Sequence, residues 1–382
     1  MYHMQTVITR RGKIKILLDE NYKVVLPVKK FLKYLDNKLM SPNTITTYCY
    51  HLKLYFEYLE EINIAYDEIF DDKENGALDY LSNFITYLQY PDYFKKRYHI
   101  GGEEPARTAS TVNLIITAVL SFYDYLSRNE KLKNIDAYKE YADNGAFRDF
   151  FWGMHLNLVK KRTNIFKIKE YDEDIKFITK EQYQQLLEAC TCYRDKLICA
   201  CGFMAGMRVS EILNLRISDL HLWENKIVIV PREGNVNGSR VKNYAAGYIF
   251  VPDDVVQMFL MYLAEIDNVD TDYVFINLRG KTKYEPMNRS NVESLFERLS
   301  EKAGFHVHPH MLRHGFAVSR ISAGYELIDL QKVMRHKSLE STMIYAGFYE
   351  EAKREKARKY YSQTKQDFTP DSDDYKKWRC TL

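Results

Sequence analysis

The chain has no unbroken run of about 20 apolar residues, the length a membrane-spanning helix needs, so no membrane partner is expected. Its opening residues, MYHMQTVITRRGK, lack the apolar core of an export signal, which predicts a cytoplasmic protein. Charge of one sign is missing too: 55 Lys and Arg against 52 Asp and Glu leave +3. An excess that small excludes a chain that grips an acidic partner by total charge, so any such grip must come from local basic clusters. Cysteine is scarce, with only Cys49, Cys190, Cys192, Cys199, Cys201 and Cys380. Two Cys-x-Cys pairs tempt a zinc reading, but structural zinc favours wider spacing, and both pairs sit in the apolar helical text LLEACTCYRDKLICACGFMAG. They read as small core residues in a reducing compartment.

What is present is a globular composition, 46% hydrophobic and 28% charged, in 382 residues, too long for one core and right for two domains. Gln5 to Leu26 alternate apolar and polar around Arg11-Gly12 and Asp19-Glu20-Asn21, predicting a β-hairpin that caps the chain or reaches a partner. From about Pro27 the text is helical. Ser41 reads as an N-cap before Ile45, Tyr48, Leu52, Tyr55, Phe56 and Leu59 on one face. A second such face carries Leu114, Ile115, Ala118, Phe122 and Leu126. VKKRTNIFKIKEYDEDIKFITK lacks helical period and reads as a charged connector. Thr179 then opens a capping box with Gln182, KIVIVP and GYIFVP read as strands about the turn GNVNG, and helices follow from about Asp253 to Tyr361. The polar tail DFTPDSDDYKKWRCTL is expected to be mobile.

Six residues of the second half stand out: Arg208 in AGMRVSEILNL, Lys242 in PREGNVNGSRVKNYAAGYIFVP, His310 and Arg313 in HPHMLRHGFA, and His336 and Tyr345 in MRHKSLESTMIYAG. Two guanidiniums, a lysine, two imidazoles and a phenol, with no carboxylate cluster to hold a metal, suit a metal-free attack on a phosphodiester. His310 and Arg313 are three apart and share a helix face, which Pro309 would start. His314 shares that side and competes with His310. Lys226 and Arg240 lie on the same predicted hairpin as Lys242 and compete with it, because hairpin registers slip. Among 31 tyrosines, Tyr345 alone stands nine residues after a histidine that follows His-x-x-Arg; Tyr349, Tyr360 and Tyr361 are its competitors. Glu211, three after Arg208, reads as a buttress rather than a reacting group.

This order and spacing resembles the tyrosine recombinase (phage integrase) family, whose pattern is Arg, Lys, His-x-x-Arg, His or Trp, and Tyr. The likeness runs from about Phe177 to Tyr361. There are departures: Met334-Arg335 replaces the Leu-Gly that usually precedes the last histidine, Gly315 replaces a hydroxyl residue, and Gly347 stands where a histidine is frequent. The resemblance implies a mainly α fold with a small β-sheet, made of a helical core-binding (SAM-like) domain and an α+β catalytic domain. The corresponding boundaries are a hairpin extension at 1–27, a core DNA-binding domain at 28–165, a linker at 166–178, a catalytic domain at 179–365 and a tail at 366–382.

It further implies that Tyr345 attacks the scissile phosphorus and forms a 3′-phosphotyrosine bond. Arg208 and Arg313 would hold the non-bridging oxygens, His310 accept the phenolic proton or orient the phosphate as a donor, Lys242 protonate the departing 5′-oxygen and His336 bond the phosphate. No metal, cofactor or ATP is expected. The partner would be double-stranded DNA, bound by a homotetramer on synapsed sites with accessory DNA-bending proteins, for integration, excision or transposition of a mobile element. Lys53, Arg107, Thr108, Thr111, Lys160, Lys161 and Arg162 are the candidate DNA contacts. A chromosome dimer-resolving Xer-like recombinase, a type IB topoisomerase and a non-catalytic sequence-specific DNA-binding protein are the alternatives.

Overall fold

Two separate apolar sets run through the sequence, and in the computed structural model each closes over its own core. Met1–Asp172 forms one unit and Glu173–Leu382 the other. The structure describes the whole chain except residues 10–11, 72–75, 92–103, 130–131, 134, 143–159, 171–173, 241–245 and 364–382. Lys242, Cys380 and the tail therefore lie outside the described residues.

The first unit begins with the expected hairpin. Strand β1 (His3–Thr9) pairs antiparallel with β2 (Gly12–Leu18), with Thr9 opposite Gly12, and β2 drops Ile14 and Leu17 into the core. Four α-helices follow among the described residues: α1 (Leu26–Asn37), α2 (Pro42–Glu61), α3 (Ala77–Gln89) and α4 (Ala109–Asn129). Ser41 caps α2 as its residue type predicts, its hydroxyl accepting the Thr44 amide at 3.1 Å. The core is rich in tyrosine, and its buried phenols are satisfied: Tyr55 and Tyr123 share a hydrogen bond of 2.7 Å, and Tyr123 reaches the Tyr66 carbonyl at 2.8 Å. One described helix, α4, is long and apolar enough by length and composition to cross a bilayer, which the sequence reading did not anticipate. It serves as a core helix, with Val112, Ile115, Val119, Phe122 and Leu126 buried. Those positions fix its inward direction, and Leu114, expected on the apolar face, falls off that direction and stays 58% exposed.

Part of the basic stretch expected to cross between domains lies in a strand pair. Strand β3 (Tyr138–Ala142) pairs with β4 (Lys160–Asn164), placing Arg162 opposite Glu140. Beyond β4, Asn113 donates to the Ile168 carbonyl at 2.9 Å and accepts its amide at 2.9 Å, so this length of chain lies on the first unit.

In the second unit, Thr179 and Gln182 form the expected capping box at the start of α5 (Lys180–Ala189). Helix α6 (Tyr193–Phe203) carries Cys199 and Cys201, both fully buried, in the centre of the core. A single turn, α7 (Val209–Ile212), leads to a three-stranded antiparallel sheet of β5 (Leu220–His221), β6 (Lys226–Ile229) and β7 (Gly247–Phe250). Helices α8 (Asp253–Glu265), α9 (Arg289–Ala303), α10 (Pro309–Ser322), α11 (Leu327–Val333), α12 (Glu340–Met343) and α13 (Ala346–Gln363) complete it. The architecture is mostly helical with small sheets, as expected.

Gly315 sets the depth of α10. A Cβ there would strike the Ile178 carbonyl oxygen and approach Phe203 Cε2 to 2.8 Å. The strand-like segment before α5 can therefore lie directly on α10. Gly315→Ala is expected to destabilise the chain by about 1–3 kcal/mol, because backbone must move to admit the methyl. A denaturant unfolding midpoint unchanged from wild type would show that this contact can relax.

Candidate active site

The loop before α7 turns at Gly206 (φ +59°), where a Cβ would meet the Phe316 ring at 2.5 Å. Two residues on, Arg208 caps α7 in extended conformation. Glu211 reaches back from the third position: one oxygen accepts the Arg208 amide at 3.0 Å, and the other accepts Arg208 Nη1 at 2.8 Å. The Arg208 amide at the start of this turn is therefore taken by a carboxylate. Arg208 keeps one further bond, from Nη2 to the Arg335 carbonyl at 3.5 Å.

Arg313 is buried in the first turns of α10. Its Nη1 donates to the Gly206 carbonyl and its Nη2 to the Met334 carbonyl at 2.6 Å. Burial, and then the charge of Arg208, push its pKa down, yet a guanidinium stays protonated across the working range. Arg335 brings a third guanidinium, which no sequence pattern had marked, onto Glu211 at 2.6 Å. Burial alone would raise the Glu211 carboxyl; the charge and hydrogen bond of Arg335, with help from Arg313 and Arg208, hold it below the usual carboxylate range.

Tyr345 lies between α12 and α13 and is 1% exposed. Burial pushes its phenol up to about 12, while Arg313 and Arg208 pull the other way. Its hydroxyl meets His314 Nδ1 at 2.7 Å. The imidazole on the phenol is thus His314, which the sequence reading ranked below His310. His310 sits one turn earlier on α10 at the exposed surface, where desolvation and then the charges of His308 and Arg313 lower its pKa. His336 places Nδ1 on Thr342 Oγ1 at 2.9 Å. Both His314 and His336 are lowered to about 4, the first by burial and the His310 and Arg313 charges, the second by burial and the Arg313 and Arg208 charges. Two neutral imidazoles, three cations and one carboxylate around a phenol make a place that attracts an anion.

The competing residues are engaged elsewhere. Tyr349 donates to Glu326, and Tyr360 and Tyr361 lie exposed on α13. Lys226 pairs with Glu224 at 3.0 Å and Arg240 with Glu233 at 2.7 Å. Among the described residues no group of three or more His, Cys, Asp or Glu could hold a metal ion. In the first unit, Arg107 gives Nη1 to the Leu88 carbonyl at 2.8 Å, and Lys53 pairs with Glu57 at 3.1 Å. Thr108 accepts the Thr111 amide at 3.3 Å, so these two threonines cap α4. Lys160, Lys161 and Arg162 lie along β4.

A phenol enclosed with paired guanidiniums, on a mainly helical frame with a small sheet, defines a site for oxyanion chemistry at a tyrosine. Residues 176–351 match the phage integrase family. The chain is 33% identical to transposase A from transposon Tn554 of Staphylococcus aureus, over 86% of this chain and 88% of that protein. It is 26% identical to tyrosine recombinase XerA of Thermococcus onnurineus, over 83% and 89%. Among solved structures, its fold is similar to XerH site-specific recombinase bound to palindromic difH substrate, with a TM-score of 0.56 and 19% identity over 86% of this chain and 83% of that one. It is also similar to the Tn1549 transposon integrase in complex with a circular intermediate DNA, with a TM-score of 0.56 and 15% identity over 87% and 99%. The chain belongs to the phage integrase family, the tyrosine recombinases.

The lowered histidines make stability depend on pH. Their folded pKa values lie below the unfolded value near 6.5, so the unfolded chain binds more protons, and stability falls as pH drops from about 6.5 toward 4. The urea midpoint of wild type is expected to fall on moving from neutral to mildly acidic buffer. His314→Gln/His336→Gln should lose less over the same interval, and equal losses would show that the two imidazoles are not the groups responsible.

Proposed function

We propose that this chain is a site-specific DNA recombinase that moves a mobile element by cutting and rejoining strands through Tyr345. The observation that carries the reading is that Tyr345 and His336 both feel the charges of Arg313 and Arg208, together with the identity to the Tn554 transposase over most of both chains. Tyr345 Oη attacks the phosphorus, the P–Oη bond forms and the P–O5′ bond breaks. His314 holds the phenol in the resting protein; once DNA draws Tyr345 out, His310 on the exposed side of α10 accepts its proton. Lys242, on the segment between β6 and β7, gives a proton to the departing 5′-oxygen. Arg208 and Arg313 stabilise the doubly charged phosphorane by forked hydrogen bonds, a role a lysine point charge fills poorly. His336, fixed by Thr342 at Nδ1, offers Nε2 to the phosphate. The bond energy is kept in the phosphotyrosine, so the 5′-hydroxyl of another strand can reverse the step without ATP.

Double-stranded DNA is the partner, read as a homotetramer on paired sites with accessory bending proteins, and the protein works where the chromosome lies, in the cytoplasm. Both units would contact the duplex, with 166–178 as the connector and Lys160, Lys161, Arg162, Lys53, Thr108 and Thr111 near its phosphates. The transposase identity favours transposition over chromosome dimer resolution.

The test uses nicked duplexes copied from the DNA flanking the gene and from its circular junction. Wild type should form a covalent protein–DNA adduct that resists denaturant, and Tyr345→Phe should form none. Arg313→Lys is expected to slow adduct formation by roughly 10²- to 10³-fold, as loss of a transition-state donor does. Specific binding without any adduct on every such duplex would leave a DNA-binding protein without catalysis; relaxation of supercoiled DNA lacking these sites would point to a topoisomerase.

A further inference from the structure

Position 335 has a left-handed backbone, φ +55°, yet holds arginine where the family usually has glycine. Such strain persists in a side-chain-bearing residue only when surrounding contacts hold it. The contacts here are specific. The Arg335 side chain is 7% exposed, and its Nη2 donates to Glu211 Oε2 at 2.6 Å and toward the Gly206 carbonyl at 3.4 Å. Its Nη1 donates to the Val333 carbonyl at 2.8 Å, while its buried Nε has no hydrogen-bond partner among the described residues. A Cβ on Gly247 would meet Arg335 Cδ at 3.3 Å, so the stem of the side chain lies on the first residue of β7, the strand that follows the Lys242 segment.

Each neighbour belongs to another part of the site. Glu211 carries Arg208, Gly206 carries Arg313, and Gly247 opens β7. Resting on the recombinase reading above, the geometry points to Arg335 as a positioning residue for strand cleavage: it pairs with Glu211 to hold Arg208 on the phosphate, and its stem packs on Gly247 at the start of β7. Glu211 faces Arg208 from the cap of α7, Arg313 from α10, and Arg335 and His336 from the turn after α11. Arg335 is the cation with the largest hold on its ionised form. Replaced by glycine, the backbone is relieved of strain, but a buried carboxyl loses its main counter-charge and takes up a proton more readily. A protonated Glu211 accepts fewer bonds from Arg208, which is then free to turn away.

The experiment measures single-turnover adduct formation on the nicked duplex across mildly acidic to mildly alkaline buffer, for wild type, Arg335→Gly, Arg335→Gln and Arg335→Lys. DNA binding and the unfolding midpoint are followed in parallel. Arg335→Gly and Arg335→Gln should slow cleavage by roughly 10- to 100-fold with DNA affinity little changed, as loss of a partner that orients a reacting group does. The acid limb of their rate profile should move to higher pH, and Arg335→Lys should recover part of both effects. Arg335→Gly is the variant best suited to the backbone, and Arg335→Gln decides the matter if it does not fold. A folded variant that cleaves at the wild-type rate with the wild-type pH profile overturns the inference, as does Arg335→Lys performing no better than Arg335→Gly. Wild type forming no adduct at all would instead remove the recombinase reading itself.

Discussion

The carboxylate of Glu211, with no exposed side-chain surface, is the anchor on which the rest of the site depends. Three guanidiniums brought together without a counter-charge would repel one another and resist burial. A single carboxylate buried alone would discharge by taking a proton. Together they are stable, and one side chain of the pair is then already immobilised for the next. Glu211 also takes the Arg208 amide, so the same group that neutralises the cluster fixes the backbone from which Arg208 projects. The result is a pocket with a positive surplus and few ways to rearrange, which suits an anion whose charge rises during reaction.

Most of the departures from the family pattern have local causes. Gly315 is needed because the Ile178 carbonyl occupies the space a side chain would fill. Met334 is fully buried among Phe316, Ile321, Leu330 and Tyr345, and its carbonyl holds Arg313, so its place in the core and its place in the site are one. Gly347 has open space around its Cα, so nothing in the packing demands glycine there. Arg335 is different in kind, since it is held in a strained backbone by the ion pair it makes.

Much of this was legible from the sequence, and the failures have a common origin. Ser41 and Thr179 act through neighbours three residues away, and KIVIVP and GYIFVP are each apolar runs bounded by turn residues, so their chemistry shows in the text. The cluster of Arg208, Arg313, His336 and Tyr345 was found by order and spacing rather than by local physics. What stayed hidden were contacts between distant positions. Arg335 and Glu211 are 124 residues apart, and no periodicity joins them. His314 and His310 share a helix face, so spacing ranks neither; the position of Tyr345 gives the phenol to His314. Arg107 looked like a basic surface residue until the Leu88 carbonyl claimed it. Leu114 shows the same limit within one helix, because periodicity gives the width of an apolar face more readily than its edge.

The enclosure of Tyr345 has a thermodynamic consequence. A conformation in which its oxygen meets an outside atom must give up the His314 bond and open the turn between α12 and α13. In the unliganded protein that conformation is a minority species. A duplex that engages only this species binds with its intrinsic constant weakened by the fraction present, so equilibrium titration understates the strength of the contacts themselves. Loosening the latch would tighten measured binding without adding a single contact to the DNA.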